Sequence, residues 1–129
     1  MPAPIDDFTR AYIAAALWSS TDDNGDPLDE NYTEFDLDQA SFDDMVWDTD
    51  NFQNYNEDLL AEAYDVDGQD EENAGHNFWL TRAGHGAGFW DGDYPATGDR
   101  LTAETKKYDE TELYVGDDGK LYIYGVDPY

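Results

Sequence analysis

Between Arg10 and Arg82 the chain runs for 71 consecutive residues without a lysine or arginine, and this stretch carries 20 of its 32 carboxylates. There are six basic residues in all, so the formal net charge is −26 at pH 7. Such a field repels nucleic acid and anionic lipid and attracts basic surfaces. Self-repulsion also destabilises a compact fold, so the charge must bring some other benefit. Direct binding to nucleic acid or to a membrane surface is therefore not expected.

The length and the apolar content predict one folded domain over residues 1–129. Apolar residues make up 40% of the chain and aromatic residues 16%, unlike the aromatic-poor composition of a disordered chain. No apolar run approaches the roughly 18 residues of a membrane span. Acids also stand near the N-terminus, where a secretion signal needs positive charge. Cysteine is absent, which excludes disulfides and thiolate metal sites and is consistent with a reducing cytosol.

Helical spacing of apolar residues predicts three helices. The first covers residues 5–18, with acids in its first turn. The second opens near Asp36, where Asp36 and Gln39 form a capping box, and is expected to break near 48–51 because "DTDN" is poor helix material. A third covers "GDRLTAETKKYD", residues 98–109. The core-facing stripe of the second region is predicted to comprise Met45, Thr49, Phe52, Leu59 and Ala63.

Two β-hairpins are predicted in the last third of the chain. The aromatic segments "HNFWLTR" (76–82) and "AGFWDGDY" (87–94), joined by "AGHG", favour a strand–turn–strand unit. The segment "ELYVGDDGKLYIYG" (112–125) alternates apolar and polar residues on both sides of a "DDG" turn. The expected fold class is therefore α+β, with about three helices packed on a small antiparallel sheet built from the two hairpins.

The acidic region 35–60 suggests a function. Asp36, Asp43, Asp50 and Glu57 are seven residues apart, which on a continuous helix places them on one face at steps of about 10.5 Å. DNA presents a phosphate about every 3.4 Å of axis along each strand, and lysine and arginine pair with carboxylates as they do with phosphate. We therefore predict a non-catalytic mimic of nucleic acid whose partner is a basic nucleic-acid-binding protein. The predicted partner-binding residues are Asp36, Asp43, Asp44, Asp48, Asp50, Glu57, Asp58 and Glu62.

Two other functional classes stay open. High Asp with low Lys is also typical of proteins that live in molar salt, where the Debye length is about 3 Å and the charge costs little. A small enzyme or metal protein would centre on His85, with His76 and Asp91. The loop 65–72 resembles part of a calcium loop, but Ala63 and Ala74 stand at its first and last ligand positions. We predict no cofactor and no bound metal.

Three segments carry a resemblance to a known family. "FTRAYIAAALWSSTDD", "GHNFWLTRAGHGAGFWD" and "LYVGDDGKLY" resemble a family of small, mostly uncharacterised proteins of bacteriophages and mobile elements. The chain departs from that family in its higher acidity and in having Ala83 where an Asn-Gly turn is usual. The resemblance implies an accessory protein in the cytoplasm of an infected cell and identifies no catalytic residue. A restriction enzyme, a CRISPR complex or another defence factor is then the expected class of target, and a homodimer stays open.

Overall fold

The computed structural model describes residues 5–84 and 87–124, which form five α-helices and one two-stranded antiparallel sheet. The elements are α1 (Asp7–Ser19), α2 (Gln39–Tyr55), α3 (Glu57–Val66), α4 (Glu71–Ala83), α5 (Gly98–Thr105), β1 (Glu112–Val115) and β2 (Leu121–Tyr124). The α+β class is confirmed. The described residues contain more helices than the three predicted, and one hairpin instead of two.

Helix α1 forms where the first helix was predicted. The Asp6 side chain caps it by accepting a hydrogen bond from the Thr9 N–H at 2.8 Å. Phe8, Tyr12 and Ala16 lie four residues apart and are fully buried, so one face of α1 belongs to the core.

The second helical region begins and breaks at other places than the sequence predicted. Helix α2 starts after Asp38, whose side chain accepts from the Ser41 N–H. Asp36 instead forms a reciprocal cap with Thr33 on a single 3₁₀ turn, so the predicted capping box with Gln39 is wrong. The residues 48–51 stay helical because Thr49 and Phe52 are buried in the core, and packing outweighs their weak helix propensity. The interruption falls at Asn56, whose side chain donates to the Phe52 carbonyl at 3.0 Å.

The predicted hairpin over residues 76–94 is wrong, because 76–83 lie in α4. Aromatic residues such as Phe78 and Trp79 are typical of strands when only the local sequence is considered. In the structure both side chains are buried against Tyr12 of α1. Gly84 ends the helix with φ 75°, a left-handed conformation that glycine adopts at little cost. The other two residues of the expected turn, His85 and Gly86, lie outside the described residues. Residues 87–94 contain no strand.

Helices α1 and α4 run parallel and approach each other closely. A Cβ on Gly75 would lie 2.0 Å from the Phe8 carbonyl oxygen, so the backbones meet where α4 has no side chain. Further along both helices, Arg82 reaches the Tyr12 hydroxyl. Helix α2 crosses in the opposite direction, since Gln53 reaches Asp6 and the Thr49 and Thr9 hydroxyls hydrogen-bond at 2.7 Å.

Stacked aromatic rings fill the space between these three helices. The Phe52 and Phe78 rings stack with centroids 4.1 Å apart, and Phe8 packs about 6 Å from both. The Trp79 ring meets Tyr12 edge-on, and its indole N–H donates to the Ser19 hydroxyl at 2.8 Å. This aromatic core holds α1, α2 and α4 as one rigid layer.

The hairpin at the end of the described chain has the predicted alternation. Leu113 pairs with Ile123 and faces the core, while Tyr114 pairs with Tyr122 on the outer face, with the two rings stacked. The outer edge of β2 is tied to the start of α2. The Asp38 N–H donates to the Leu121 carbonyl at 2.8 Å, and the Ile123 N–H donates to the Ser41 hydroxyl. Within residues 5–84 and 87–124, no helix has the length and apolar character needed to cross a membrane.

Candidate acidic interface

The outward face of α2 carries carboxylates on either side of an exposed tryptophan. Asp43, Trp47, Asp50 and Asn54 are exposed, and we call these four residues the α2 stripe. At 100° per residue they fall within a narrow sector, directly opposite the buried Met45 and Phe52. Asp43 and Asp50 are therefore about 10.5 Å apart along the helix axis. The spacing that the sequence predicted for these two acids is present on the surface.

The eight predicted carboxylates do not form one continuous row. Asp36 lies before α2 on its 3₁₀ turn, and Asp44 lies half-buried at the flank of the α2 stripe. Glu57, Asp58 and Glu62 follow the interruption at Asn56 and belong to α3. Glu62 also pairs with Arg100, at 2.6 Å.

Asp48 points inward and forms a buried ion pair that sequence reasoning missed. Its Oδ2 lies 2.7 Å from Nη1 of Arg82, and only 13% and 5% of the two side chains are exposed. Arg82 also donates to the Tyr12 hydroxyl and, through Nε and Nη2, to the Asp109 carbonyl. Burial raises the pKa of Asp48, while the Arg82 guanidinium opposes that shift. The pair joins α2 to α4 and to the segment before β1, so Asp48 is not available to a partner protein.

The sequence signal for this ion pair was Arg82 itself, the first basic residue after a long stretch without lysine or arginine. Arg82 stands inside the aromatic segment "NFWLTRAG", where a buried guanidinium needs a carboxylate partner. The sequence alone offers 32 carboxylates and does not select Asp48 among them.

A second group of carboxylates gathers at one end of the helical layer. Because α1 and α4 run parallel, their N-terminal ends lie together, and each has an Asp cap and acids in its first turn. We call this group the acidic end, and it comprises Asp6, Asp7, Asp70, Glu71 and Glu72. Acids at a helix N-terminus are favourable for that helix, but their convergence brings like charges close. The repeated motif of Asp followed by acids, at 6–7 and 70–72, was the sequence signal for it.

The acidic end is continuous with the α2 stripe. Gln53 lies one turn from Asp50 on α2, and its side-chain amide donates a hydrogen bond to the Asp6 carboxylate at 3.0 Å. Burial, and after it the charge of Asp6, raises the pKa of Asp50. Burial together with the charges of Glu71, Asp6 and Asp70 raises the pKa of Tyr64. Asp6 of the α1 cap therefore lies near Asp50 of α2, and it lies near Tyr64 together with Glu71 and Asp70 at the start of α4.

The other sequence candidates have structural roles or incomplete surroundings. Asp67 of the acidic loop accepts from the N–H groups of Ala96 and Thr97 and from the Thr97 hydroxyl, and so fixes the turn before α5. His76 packs beside the Trp18 ring, and burial lowers its pKa. His85 lies outside the described residues. Among the residues that are described, no three His, Asp or Glu side chains are grouped so that they could hold a metal ion.

Comparison with family models, curated proteins and solved structures gives no match to this chain. What the fold and surface define is a small α+β protein with a rigid aromatic core and a strongly acidic helical face.

Proposed function

We propose that this protein is a non-catalytic inhibitor that presents carboxylates where nucleic acid presents phosphates. Its partner is a protein with a basic nucleic-acid-binding cleft. The observation that carries the proposal is the continuity of the α2 stripe with the acidic end, which together form one acidic surface supported by a packed core.

The spacing of the acids supports this proposal. The step of about 10.5 Å between Asp43 and Asp50 corresponds to about three phosphate intervals along one DNA strand. The acidic end extends the negative surface beyond Asp50, past the N-terminal ends of α1 and α4. A cleft lined with lysine and arginine would therefore meet negative charges at the spacing of the phosphates that it binds.

The rigidity of the α2 stripe also supports the proposed function. The stacked Phe52 and the buried Asp48–Arg82 pair lie on the inward side of α2, behind the α2 stripe, so the helix cannot roll without breaking both contacts. A surface that is already held in its bound geometry loses less conformational entropy on association. A flexible acidic tail would have the charge without this advantage.

The close approach of like charges is a further argument. Burial, and after it the charge of Asp6, raises the pKa of Asp50, so the folded protein holds this carboxylate ionised at a cost in free energy. Surface carboxylates near other carboxylates destabilise the folded state, and such sites are typical where function requires them. Neutral Asn at position 50 would fold with less repulsion.

Exposed acids elsewhere support a second candidate function. Asp23, Asp29, Asp93, Asp99 and Asp117 are exposed and lie outside both named surfaces. This wider distribution favours a salt-adapted accessory protein whose acidity serves solubility. The two proposals differ in whether the position of the charge matters or only its total.

The first experiment is affinity capture from a bacterial lysate followed by elution with DNA. Immobilised protein should retain nucleic-acid-binding proteins, and a duplex DNA fragment should release them. Retention should fall steeply between 50 and 200 mM salt, as expected for contacts that replace phosphate contacts. Retention that DNA does not reverse would contradict nucleic-acid mimicry.

From the resemblance to phage proteins we propose a defence factor, such as a restriction or CRISPR complex, as the target, and the cytoplasm of an infected cell as the location.

A further inference from the structure

We infer that Asn24 is a modification site, at which the side-chain amide is lost by spontaneous deamidation and a carboxylate takes its place. The inference is independent of the proposed function. It is carried by the geometry of the loop 21–27, which follows α1 and is closed by a bridge between Thr21 and Pro27.

The backbone beside the Asn24 side chain is open. Asn24 is followed by Gly25, and both residues are exposed. A Cβ added to Gly25, whose φ is 85°, would meet no atom within 4 Å. Every other asparagine of the chain is followed by a residue with a side chain. Because glycine has no Cβ, its backbone nitrogen is the least hindered neighbour that an asparagine amide can have.

The structure distinguishes Asn24 from the other positions where an acid or its amide precedes glycine. The sequence has four such pairs, at 24–25, 67–68, 91–92 and 118–119. Asp67, Asp91 and Asp118 each accept a hydrogen bond from a backbone N–H through the carboxylate, which holds the side chain in place. The Asn24 amide makes no hydrogen bond to any residue that the structure describes. It can therefore turn toward the nitrogen of Gly25.

The reaction needs only this pair of residues and water. The backbone nitrogen of Gly25 attacks the side-chain carbonyl carbon of Asn24, and the new N–C bond closes a cyclic imide. The Gly25 nitrogen loses its proton, and the Asn24 side-chain nitrogen takes up a proton and leaves as ammonia. Water then opens the imide. Opening at the former side-chain carbonyl gives aspartate, and opening at the main-chain carbonyl gives isoaspartate, so both products have one more negative charge.

Hydrogen bonds within the loop slow this reaction in the folded protein. The Gly25 N–H donates to the Asp22 carbonyl at 2.9 Å, which holds the attacking nitrogen away from the amide. One Asp22 carboxylate oxygen also accepts from the N–H groups of Asn24, at 2.8 Å, and Asp26, at 3.1 Å. The attack therefore requires a local opening of the loop, and Asp22 sets how often that opening occurs.

The experiment incubates the full chain in a mildly alkaline buffer and follows the more acidic form by anion-exchange chromatography. Fragment mass spectra locate the changed residue. In the wild type the more acidic form should accumulate with the change at Asn24. Asn24→Gln should prevent it, because the longer side chain closes a larger and less favourable ring.

A matched pair of variants tests the part that the loop geometry plays. Asp22→Ala should speed the reaction several-fold, because it removes the acceptor of two loop N–H groups. Asp23→Ala removes a neighbouring exposed carboxylate that accepts no hydrogen bond from any described residue, and it should react at the rate of the wild type. The wild type unfolded in urea should also react faster than the folded protein, since unfolding removes the same hydrogen bonds.

A wild-type protein that keeps its charge through the incubation overturns the inference, as does a more acidic form that persists in Asn24→Gln. Equal rates in Asp22→Ala and Asp23→Ala, or in folded and unfolded wild type, overturn the role of the loop hydrogen bonds. None of these outcomes bears on the proposed function, because the loop 21–27 lies outside the α2 stripe and the acidic end.

Discussion

Arg82 and Asp48 form a buried ion pair, with 2.7 Å between Nη1 and Oδ2, that connects α4 to α2. In a chain with 32 carboxylates, the one that Arg82 contacts lies directly behind the α2 stripe. The same guanidinium lies over the Tyr108 ring, 5.5 Å from its centroid. The pair therefore fixes how α2 sits against the rest of the molecule, and with it the direction in which Asp43, Trp47 and Asp50 project.

Removing one member of this pair should destabilise the protein strongly. Arg82→Met leaves Asp48 buried without a counter-charge, and we expect a loss of about 3–5 kcal/mol in the free energy of unfolding. Urea denaturation measures it. The double variant Arg82→Met with Asp48→Leu should recover much of that loss, because no buried charge is left unpaired. A loss below about 1 kcal/mol in the single variant would show that the pair is not buried in solution.

The close contact between α1 and α4 predicts an effect opposite to helix propensity. Gly75→Ala should destabilise the protein by about 2 kcal/mol or more, although alanine is the better helix former, because its Cβ would meet the Phe8 carbonyl. Glu72→Ala, an exposed change on the same helix, is the control and should cost little. Thermal unfolding of both variants measures the difference. A Gly75→Ala protein as stable as the wild type would contradict the close approach of the α4 backbone to Phe8.

Asp50 should show a conflict between stability and binding. Its pKa is raised in the folded state above the ordinary value of 3.8, so the folded protein holds this proton more tightly than the unfolded chain does. Stability from this group therefore falls as pH rises through the window above 3.8, and the penalty persists at neutral pH. We expect Asp50→Asn to stabilise the protein at pH 7 by about 0.5 kcal/mol, with no gain below pH 3.8. The same variant should bind a basic partner less tightly.

Unfolding curves of Asp50→Asn and the wild type at pH 7 and pH 3.5 test this account. A variant that is less stable at pH 7 would show that Asp50 makes a stabilising contact. In that case the Asp50 carboxylate would have a structural role and would carry no cost in the folded state.

Salt separates the two candidate functions. The aromatic core should keep the protein folded in 0.1 M KCl, with a cooperative melting transition above about 45 °C. Raising KCl to 1 M shortens the Debye length from about 10 Å to about 3 Å and should raise the melting temperature modestly, by weakening repulsion. A chain that folds only in molar salt would instead support the second candidate function, a salt-adapted accessory protein.

The elements with strong local signals were predictable from the sequence. Helix α1 follows from its apolar spacing, and the hairpin of β1 and β2 follows from alternation around a glycine turn. Helix α4 was not predictable in this way, because "HNFWLTR" has the composition of a strand. Its helical state depends on contacts with Phe8 and Tyr12, some 66 or more residues away in the chain.

The candidate interface was predictable only in part. The seven-residue spacing identified Asp43 and Asp50, since both lie on one uninterrupted helix. Helical spacing did not distinguish the buried Asp48 from the exposed acids, because periodicity does not reveal which carboxylate a distant arginine will contact. It also missed the acidic end, which forms only when the parallel packing of α1 and α4 brings residues 6–7 and 70–72 together.

The central claim is that the position of the carboxylates matters and not only their number. Two double variants with equal net charge test it, Asp43→Asn with Asp50→Asn on the α2 stripe and Asp23→Asn with Asp117→Asn on exposed loops. The measurement is the amount of DNA-releasable nucleic-acid-binding protein that each variant captures from the same lysate. We expect the stripe variant to lose about tenfold or more and the loop variant to stay within about twofold of the wild type, as two charge-assisted contacts imply. Equal retention by the two variants would contradict the claim and leave the acidity as a property of the whole surface.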